Sequence, residues 1–270
     1  MQPDLALARR FLAAHPPPGE VLLCSITGSH LYGFPSIDSD LDIKGIHLHP
    51  TVGLLGLHRP PDHHDRLEIF EGMECDLTTH EASMALSLLL DGNGNLLERI
   101  TSPFQLLQTP ATAQLGALLP STLSRRCRRH YRGYLLGMTQ ELQRKKRLKS
   151  LLYAYRVALT GIHLLRTGEV ESNLPNLAHR YGVPGLAPLI DRKREAEKTE
   201  LSSAEIEAQL PHLEELGREL DSAHTHSILP EKPSNASAVE NWLIGLRQSQ
   251  LQRHDRPTPS RPSDRSDGKI

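Results

Sequence analysis

The sequence predicts an α+β fold: a small N-terminal sheet with flanking helices, followed by a helical C-terminal unit. Two observations predict it. Short apolar or alternating runs, each closed by turn residues, are confined to the chain before Thr112. Beyond that point strand signals vanish and long helical stretches take over, two of them opened by Ser-x-x-Glu boxes.

In chain order, Leu5 to Ala14 reads as an amphipathic helix stopped by Pro16-Pro17-Pro18. Val21 to Thr27 is an apolar run ending in Gly28-Ser29, a buried strand that enters a tight turn. Pro35, Ser36, Asp38 and Ser39 mark a loop. Leu41 to His49 alternates, with Leu41, Ile43 and Gly45 on one face and Asp42, Lys44 and Ile46 on the other, so a second strand is expected. His58 to Asp65 reads as a loop, and Glu68 to Thr78 as a third strand centred on Met73 to Leu77. Thr78-x-x-Glu81 reads as a capping box for a helix that carries Met84 to Leu90 and stops at Gly92. Ser121 to Thr167 is one long helix or two shorter ones; Ser202 to Leu220 and Ser237 to Gln250 are two more. The expected domains are residues 1–112, with the sheet, and 113–251, helical with a basic face. Residues 252–270 are Arg, Pro, Ser and Asp with few apolar residues, and the expectation is a disordered tail.

At 270 residues, 38% hydrophobic and 23% charged, with a net charge of −1, the chain has the composition of a globular protein and no global charge that selects a partner. Cys24, Cys75 and Cys127 are far apart and odd in number, which excludes a zinc ribbon or disulfide framework. No run approaches the ~18 apolar residues of a membrane helix, and Asp4, Arg9 and Arg10 interrupt any signal peptide. A reduced, cytoplasmic protein is expected.

The chemistry lies in the acids. Period-2 geometry places Asp40 and Asp42 on one face, and Asp76 sits late in the third strand candidate before a helix. If the strands neighbour each other, three carboxylates converge. Like charges that close need compensation, and hard oxygen ligands favour Mg²⁺ or Mn²⁺. Two such ions suit phosphoryl transfer, one lowering the pKa of the attacking hydroxyl and one neutralising triphosphate and leaving pyrophosphate. Ser-Asp-x-Asp alone is a common turn sequence. The added signal is Gly28-Ser29 at the exit of a buried strand, where glycine admits a phosphate and the serine can donate to it.

Together Ile26-Thr27-Gly28-Ser29 and Asp40-Leu41-Asp42-Ile43 resemble the DNA polymerase β-like nucleotidyltransferase superfamily. Gly28-Ser29-His30-Leu31-Tyr32-Gly33 and Ser39 to Gly45 resemble its branch called the RNA repair pathway DNA polymerase β family. Asp91 to Glu98, Lys149 with the helix Leu151 to Gly168, and Ser227 to Pro230 before Trp242-Leu243 are similar too, so the likeness runs from about Val21 to Arg247. The resemblance implies a palm-like sheet domain and Mg²⁺- or Mn²⁺-dependent transfer of a nucleoside monophosphate from a nucleoside triphosphate. It implies Asp40, Asp42 and Asp76 as metal ligands, with Asp42 bridging metal and attacking hydroxyl and Asp76 as the base-side carboxylate. Gly28 and Ser29 become the phosphate contact. Thr27 departs from the apolar residue expected before the glycine.

His30 follows the phosphate turn and could donate to a triphosphate oxygen, while Tyr32 could stack on a base or pack on the sheet. Ser121 to Ser150 holds ten Lys or Arg against one acid, Glu141. Arg125, Arg128, Arg129 and Arg132 share a helical face, and Lys145 and Lys146 lie in a second cluster, with Tyr131 and Tyr134 interleaved. This reads as a track for a nucleic-acid backbone rather than a merely solvated face. Lys149 is the candidate triphosphate lysine. Arg125-x4-His130 also matches a loose ribonuclease pattern, which a basic run produces easily. His47, His49, His58, His63 and His64 straddle a Pro-rich loop without an i,i+4 pair, and are expected at the surface rather than on a transition metal.

The expected partners are a nucleoside triphosphate and a DNA or RNA 3′-hydroxyl. Protein hydroxyls and small molecules remain alternative acceptors, and a non-catalytic nucleic-acid-binding protein is the reading from another class.

Overall fold

The computed structural model describes residues 2–195 and 199–254. Four strands make one sheet in the order β1-β2-β4-β3: β1 (Glu20–Ile26), β2 (Leu41–Leu48), β3 (His63–Phe70) and β4 (Met73–Glu81). The central pair, β2 and β4, is parallel, and the flanking pairs are antiparallel. Helix α1 (Leu5–Ala14) is capped by Asp4, whose carboxylate accepts from the Leu7 amide. It lays Leu7, Ala8, Phe11 and Leu12 against Cys24, Ile26, Leu41, Ile43, Cys75 and Leu77 on one face of the sheet.

All other helices lie elsewhere, and they cover the opposite face. In order they are α2 (Gly28–Tyr32), α3 (Ala82–Leu90), α4 (Gly94–Thr101), α5 (Pro110–Thr122), α6 (Cys127–Lys145) and α7 (Leu148–Thr167). Then follow α8 (Leu174–Tyr181), α9 (Leu186–Glu195), α10 (Ser203–Thr225) and α11 (Ala236–His254). Helix α7 is the axis of this half: sixteen of its residues are buried, on all sides, as its long apolar run requires. One hydrophobic cluster runs from Leu23, Ile46 and Leu48 of the sheet through α3, α4 and α7 to Leu220, Val239 and Leu243. The boundary expected at residues 112/113 falls inside α5. Among the described residues no helix is long and apolar enough to cross a membrane.

Several local expectations need correction. His58 to Asp65 is not wholly loop, because β3 begins at His63 and pairs with β4 through a turn at Glu71 and Gly72, both with positive φ. Thr78-x-x-Glu81 is no capping box: Thr78 belongs to β4, and Glu81 itself caps α3 by accepting from the Ser83 amide. Gly28-Ser29 opens the short helix α2 instead of a bare turn, closed by Gly33 in the left-handed region. Helix α11 starts at Ala236, so Ser237 is inside it, and it reaches past residue 252, where the tail was expected. The rest of that tail, 255–270, lies outside the described residues. Ser121 to Thr167 resolves into α5's end, α6 and α7, broken at Lys146, whose φ is +52°. The Ser202/Glu205 box is present as expected.

Candidate active site

Because β2 and β4 are parallel neighbours in register, Asp42 stands directly beside Asp76. Leu41, Ile43, Cys75 and Leu77 point into the α1 side, so period-2 alternation turns both aspartates to the face occupied by the other helices. Lys44 is two residues beyond Asp42 on that face. Its ammonium lies 2.7 Å from Asp76 Oδ2 and 3.9 Å from Asp42 Oδ1, and it also donates to Thr78 Oγ1 at 3.2 Å. The carboxylate pair therefore has a resident counter-charge, which the sequence reading had assigned wholly to metal.

The connection from β1 is strapped to the same place. The Thr27 amide donates to the Asp42 carbonyl at 2.9 Å, and Gly28 then takes φ +63°. A Cβ on Gly28 would fall 1.7 Å from Asp42 Oδ2. Only glycine leaves room for that carboxylate, and only glycine takes the backbone angle without strain. Beyond it, Ser29 Oγ and His30 Nδ1 are buried with no hydrogen-bond partner among the described residues, unlike most buried polar atoms.

Burial pushes the Asp42 carboxyl up to about 6, reinforced by Asp40 and Asp76 and opposed by Lys44 and Lys149. Burial lowers the His30 imidazole from its ordinary value, with Asp40 opposing. Both shifts place Asp40 within electrostatic reach of Asp42 and His30. Lys149, in the first turn of α7, reaches the same field and stands 6.0 Å from the Tyr153 ring centre. The expected Asp40, Asp42, Asp76, Gly28, Ser29, His30 and Lys149 thus gather at one end of β2.

Beside them opens a cleft of about 190 Å³, lined by Thr27, Gly28, Asp42, Lys44, Arg99 and Tyr153 with Tyr32, Asn95 and Glu98. Glu98 of α4, one of its walls, is held in a buried ion pair by Arg156 of α7. Tyr32 donates to Glu98 Oε2 at 2.9 Å, and the Arg156 guanidinium lies 3.9 Å from the centre of the Tyr32 ring. That occupies Tyr32 as wall, its face already covered, and of the two roles weighed it takes packing.

Among the described residues no three His, Cys, Asp or Glu side chains are gathered tightly enough to grip a metal ion, and Lys44 stands between the paired aspartates. The donor set nevertheless suits a hard divalent ion: adjacent carboxylates, a glycine-lined approach and unpartnered Ser29 Oγ at its edge. Asp42 and Asp76, with Asp40, are the groups that could hold it, once the Lys44 ammonium turns to another anion.

The basic residues divide. Arg125 donates to the carbonyls of Leu229 and Ser227, both at 2.9 Å, and Arg128 and Arg132 share Asp221 of α10. Those three tie the helices together. Arg129 is exposed, Lys145 pairs with Glu141, and Lys146 donates to Ser203 Oγ. Arg144 and Arg147, at the α6–α7 corner close to Lys149, are exposed. Tyr131 is buried and Tyr134 donates nothing to a track, receiving instead the Asn95 amide at 3.0 Å.

The histidines also need correction. His47 and His49 are buried, not superficial: His47 Nδ1 meets Thr79 Oγ1 at 2.9 Å and His49 Nε2 meets the Pro61 carbonyl at 2.9 Å. The sequence reading missed Lys44, Arg99, Glu98 and Arg156. Lys44 was legible, since its alternation put it on the Asp42 face; the others became functional candidates only through tertiary packing.

Compared with known proteins, residues 7–245 match the model of the RNA repair pathway DNA polymerase beta family. No curated protein sequence matches the chain. Among solved structures, a nucleotidyltransferase-like protein from Exiguobacterium sibiricum 255-15 is similar over 95% of this chain and 82% of its own, at 13% identity and a TM-score of 0.33, too distant to carry an argument.

Proposed function

Since the chain belongs to the RNA repair pathway DNA polymerase β family, we propose that it is a nucleotidyltransferase moving a nucleoside monophosphate from a nucleoside triphosphate to a nucleic-acid 3′-hydroxyl. The observation that carries this reading is the in-register pair Asp42 and Asp76, with Asp42 pressed against Gly28. Divalent Mg²⁺ or Mn²⁺, two ions in the proposal, would supply charge neutralisation of the triphosphate and a lowered hydroxyl pKa. The chain's own residues do the rest. Gly28 gives a phosphate close access to the backbone, and Ser29 Oγ and His30 donate to its oxygens. Asp42 and Asp76 orient the acceptor hydroxyl for in-line attack on the α-phosphorus; the new P–O bond forms as the bond to the β-phosphate oxygen breaks. The hydroxyl proton passes to the site's carboxylate side, for which Asp76 is the candidate, and pyrophosphate departs toward Lys44 and Lys149.

The exposed cations Arg144 and Arg147, beside Lys149, support a nucleic-acid acceptor. One observation favours a second reading, a small-molecule or protein hydroxyl. Leu67, directly opposite Asp76 in register, and Ile69 are exposed on the same face, flanked by Asp65 and Glu74. That border is apolar and acidic, unlike a phosphate track.

The test is incubation with each α-labelled NTP and dNTP, with Mg²⁺ or Mn²⁺, beside single-stranded, primed and duplex DNA and RNA. Label should move onto one nucleic-acid class and be lost with Asp42→Asn. Label on no nucleic acid, but on protein or a small molecule, would replace the first reading by the second. No label on any acceptor would remove nucleotidyl transfer.

A further inference from the structure

Two arginines enter the interior beside the cleft, and they are treated differently. Arg156 is buried against Glu98, so its charge is compensated. Arg99, the next residue after Glu98 on α4, is only 4% exposed and makes no ion pair with any carboxylate among the described residues. Its Nη1 donates to the Gly45 carbonyl at 2.8 Å and faces His80 Nδ1 at 2.9 Å. Its Nε is buried with no partner among the described residues. Neither acceptor carries charge, since burial and Arg99 itself push the His80 imidazole down to about 4. A guanidinium has five donors in a planar fork, and this one is largely unspent.

Burying a charge without a counter-charge is costly, and burial pushes even this guanidinium down to about 10. A chain optimised for stability would carry a neutral residue here. The cleft that Arg99 lines says what the charge is for. Lys44, the other cation in a lining that also holds the Asp42 and Glu98 carboxylates, pairs with Asp76 and reaches the leaving group only after turning away, whereas Arg99 has no carboxylate to leave. A cleft of about 190 Å³ has room for a pyrophosphate-sized group.

We propose that Arg99 is the anion-binding residue of this cleft, and that it takes a phosphoanhydride chain. The identity of that anion rests on the nucleotidyl-transfer reading: it is the β,γ-portion of the bound triphosphate, released as pyrophosphate. Arg99 then supplies the counter-charge for the leaving group from within the protein. Its planar guanidinium, oriented by the Gly45 carbonyl and His80, presents its remaining donors in a fixed direction that a lysine ammonium cannot reproduce.

The experiment uses the full chain and titrates pyrophosphate, tripolyphosphate and ATP by calorimetry, with and without Mg²⁺, in wild type, Arg99→Met and Arg99→Lys. Wild type should bind both inorganic anions. Arg99→Met should weaken them roughly 10- to 100-fold, the range for a lost charge-assisted hydrogen bond. Its melting temperature without ligand should equal or exceed that of wild type, because an uncompensated buried charge is gone. Arg99→Lys should keep the charge, lose the fork and bind several-fold more weakly than wild type. The opposite pattern, a large fall in melting temperature with anion affinity intact, would make Arg99 structural and overturn the proposal. Should Arg99→Met not fold, unchanged affinity in Arg99→Lys would overturn it equally. Wild type that binds neither anion overturns it outright. Tighter binding of tripolyphosphate than pyrophosphate assigns the substrate state, and the reverse assigns the product. Anion binding that depends on Arg99, with no nucleotide transfer to any acceptor, would uphold this site while the proposed function fell.

Discussion

Gly28 and Asp42 are fourteen positions apart in sequence, yet their contact is the tightest constraint in the site. A methyl group at Gly28 would sit 1.7 Å from Asp42 Oδ2, and the backbone there has φ +63°. Gly28→Ala must therefore rotate the Asp42 carboxylate or shift the start of α2, besides the ~1–2 kcal/mol of a left-handed backbone. The expected outcome is a fall in transfer rate of roughly 100-fold, the effect of about 1 Å of misplacement. The fold should survive, with a melting temperature only a few degrees lower. Rate assay and thermal melt on one sample check this; normal turnover would show that Asp42 need not lie against residue 28. At this scale much of the site was legible. Gly-Ser, spacer and Asp-x-Asp are local patterns, and alternation alone fixed the face of Asp42. Lys44 lies on that face by the same alternation, and it gives the acids a counter-charge from within the chain. Arg99 left no local sign, because an arginine in a helix reads as solvated until its neighbours are known.

At the scale of elements, charge runs mislead because they do not tell which charges meet acids from distant sequence. Arg128 and Arg132 find Asp221 on α10, and Arg125 finds two carbonyls before α11. None of those partners is near in sequence. For the nucleic-acid acceptor proposed above, the cations left for a phosphate backbone are those of the α6–α7 corner, where Arg144 and Arg147 are exposed beside Lys149 in sequence. Arg144→Glu with Arg147→Glu should weaken single-stranded nucleic-acid binding and lower the slope of log affinity against log salt by roughly one to two. Arg128→Ala should leave the slope unchanged and lower stability by at most ~1 kcal/mol, since its pair with Asp221 is two-fifths exposed. Filter binding at several salt concentrations separates them; a slope reduced by Arg128→Ala alone would return the track to the middle of α6. The strand β3 was hidden for a related reason. As an edge strand with His63, Asp65 and Arg66 in water, it lacks the apolar alternation that marks β2. Helix α4 was hidden because it starts inside Gly92-Asn93-Gly94, which reads as loop, although Asn93 is its cap and Gly94 its first residue.

The whole molecule carries several buried ionisable groups whose titrations oppose each other, and their balance sets its response to acid. Burial pushes His47, His80 and His130 down to about 4, from an ordinary value near 6.5. A histidine depressed in the folded state contributes stability above its unfolded pKa, and that stability is lost as pH falls through the folded value. Asp42 acts in the opposite sense: raised to about 6, it adds stability as pH falls below 6. Carboxyls held low, such as Glu205 at about 2, are still ionised in both states near pH 5.5 and drop out. Between pH 5 and 6, His47, His80 and His130 less Asp42 should give an uptake of close to two protons on unfolding, and His30 and His163, lowered in the same sense, add to it. Stability should fall by roughly 2.7 kcal/mol per pH unit or more across that window. Urea unfolding at intervals from pH 7 to 5, in the presence of a chelator, measures the slope. His130 gives the sharpest test, because its ring packs against Tyr131 and Tyr134, so phenylalanine can replace it with little loss of packing. His130→Phe should lower the uptake by about one proton and make the protein more resistant to acid. An unchanged slope would mean that His130 is already protonated in the folded state, and that the α4–α6 contact, which brings Gly94 against the ring, tolerates a charge.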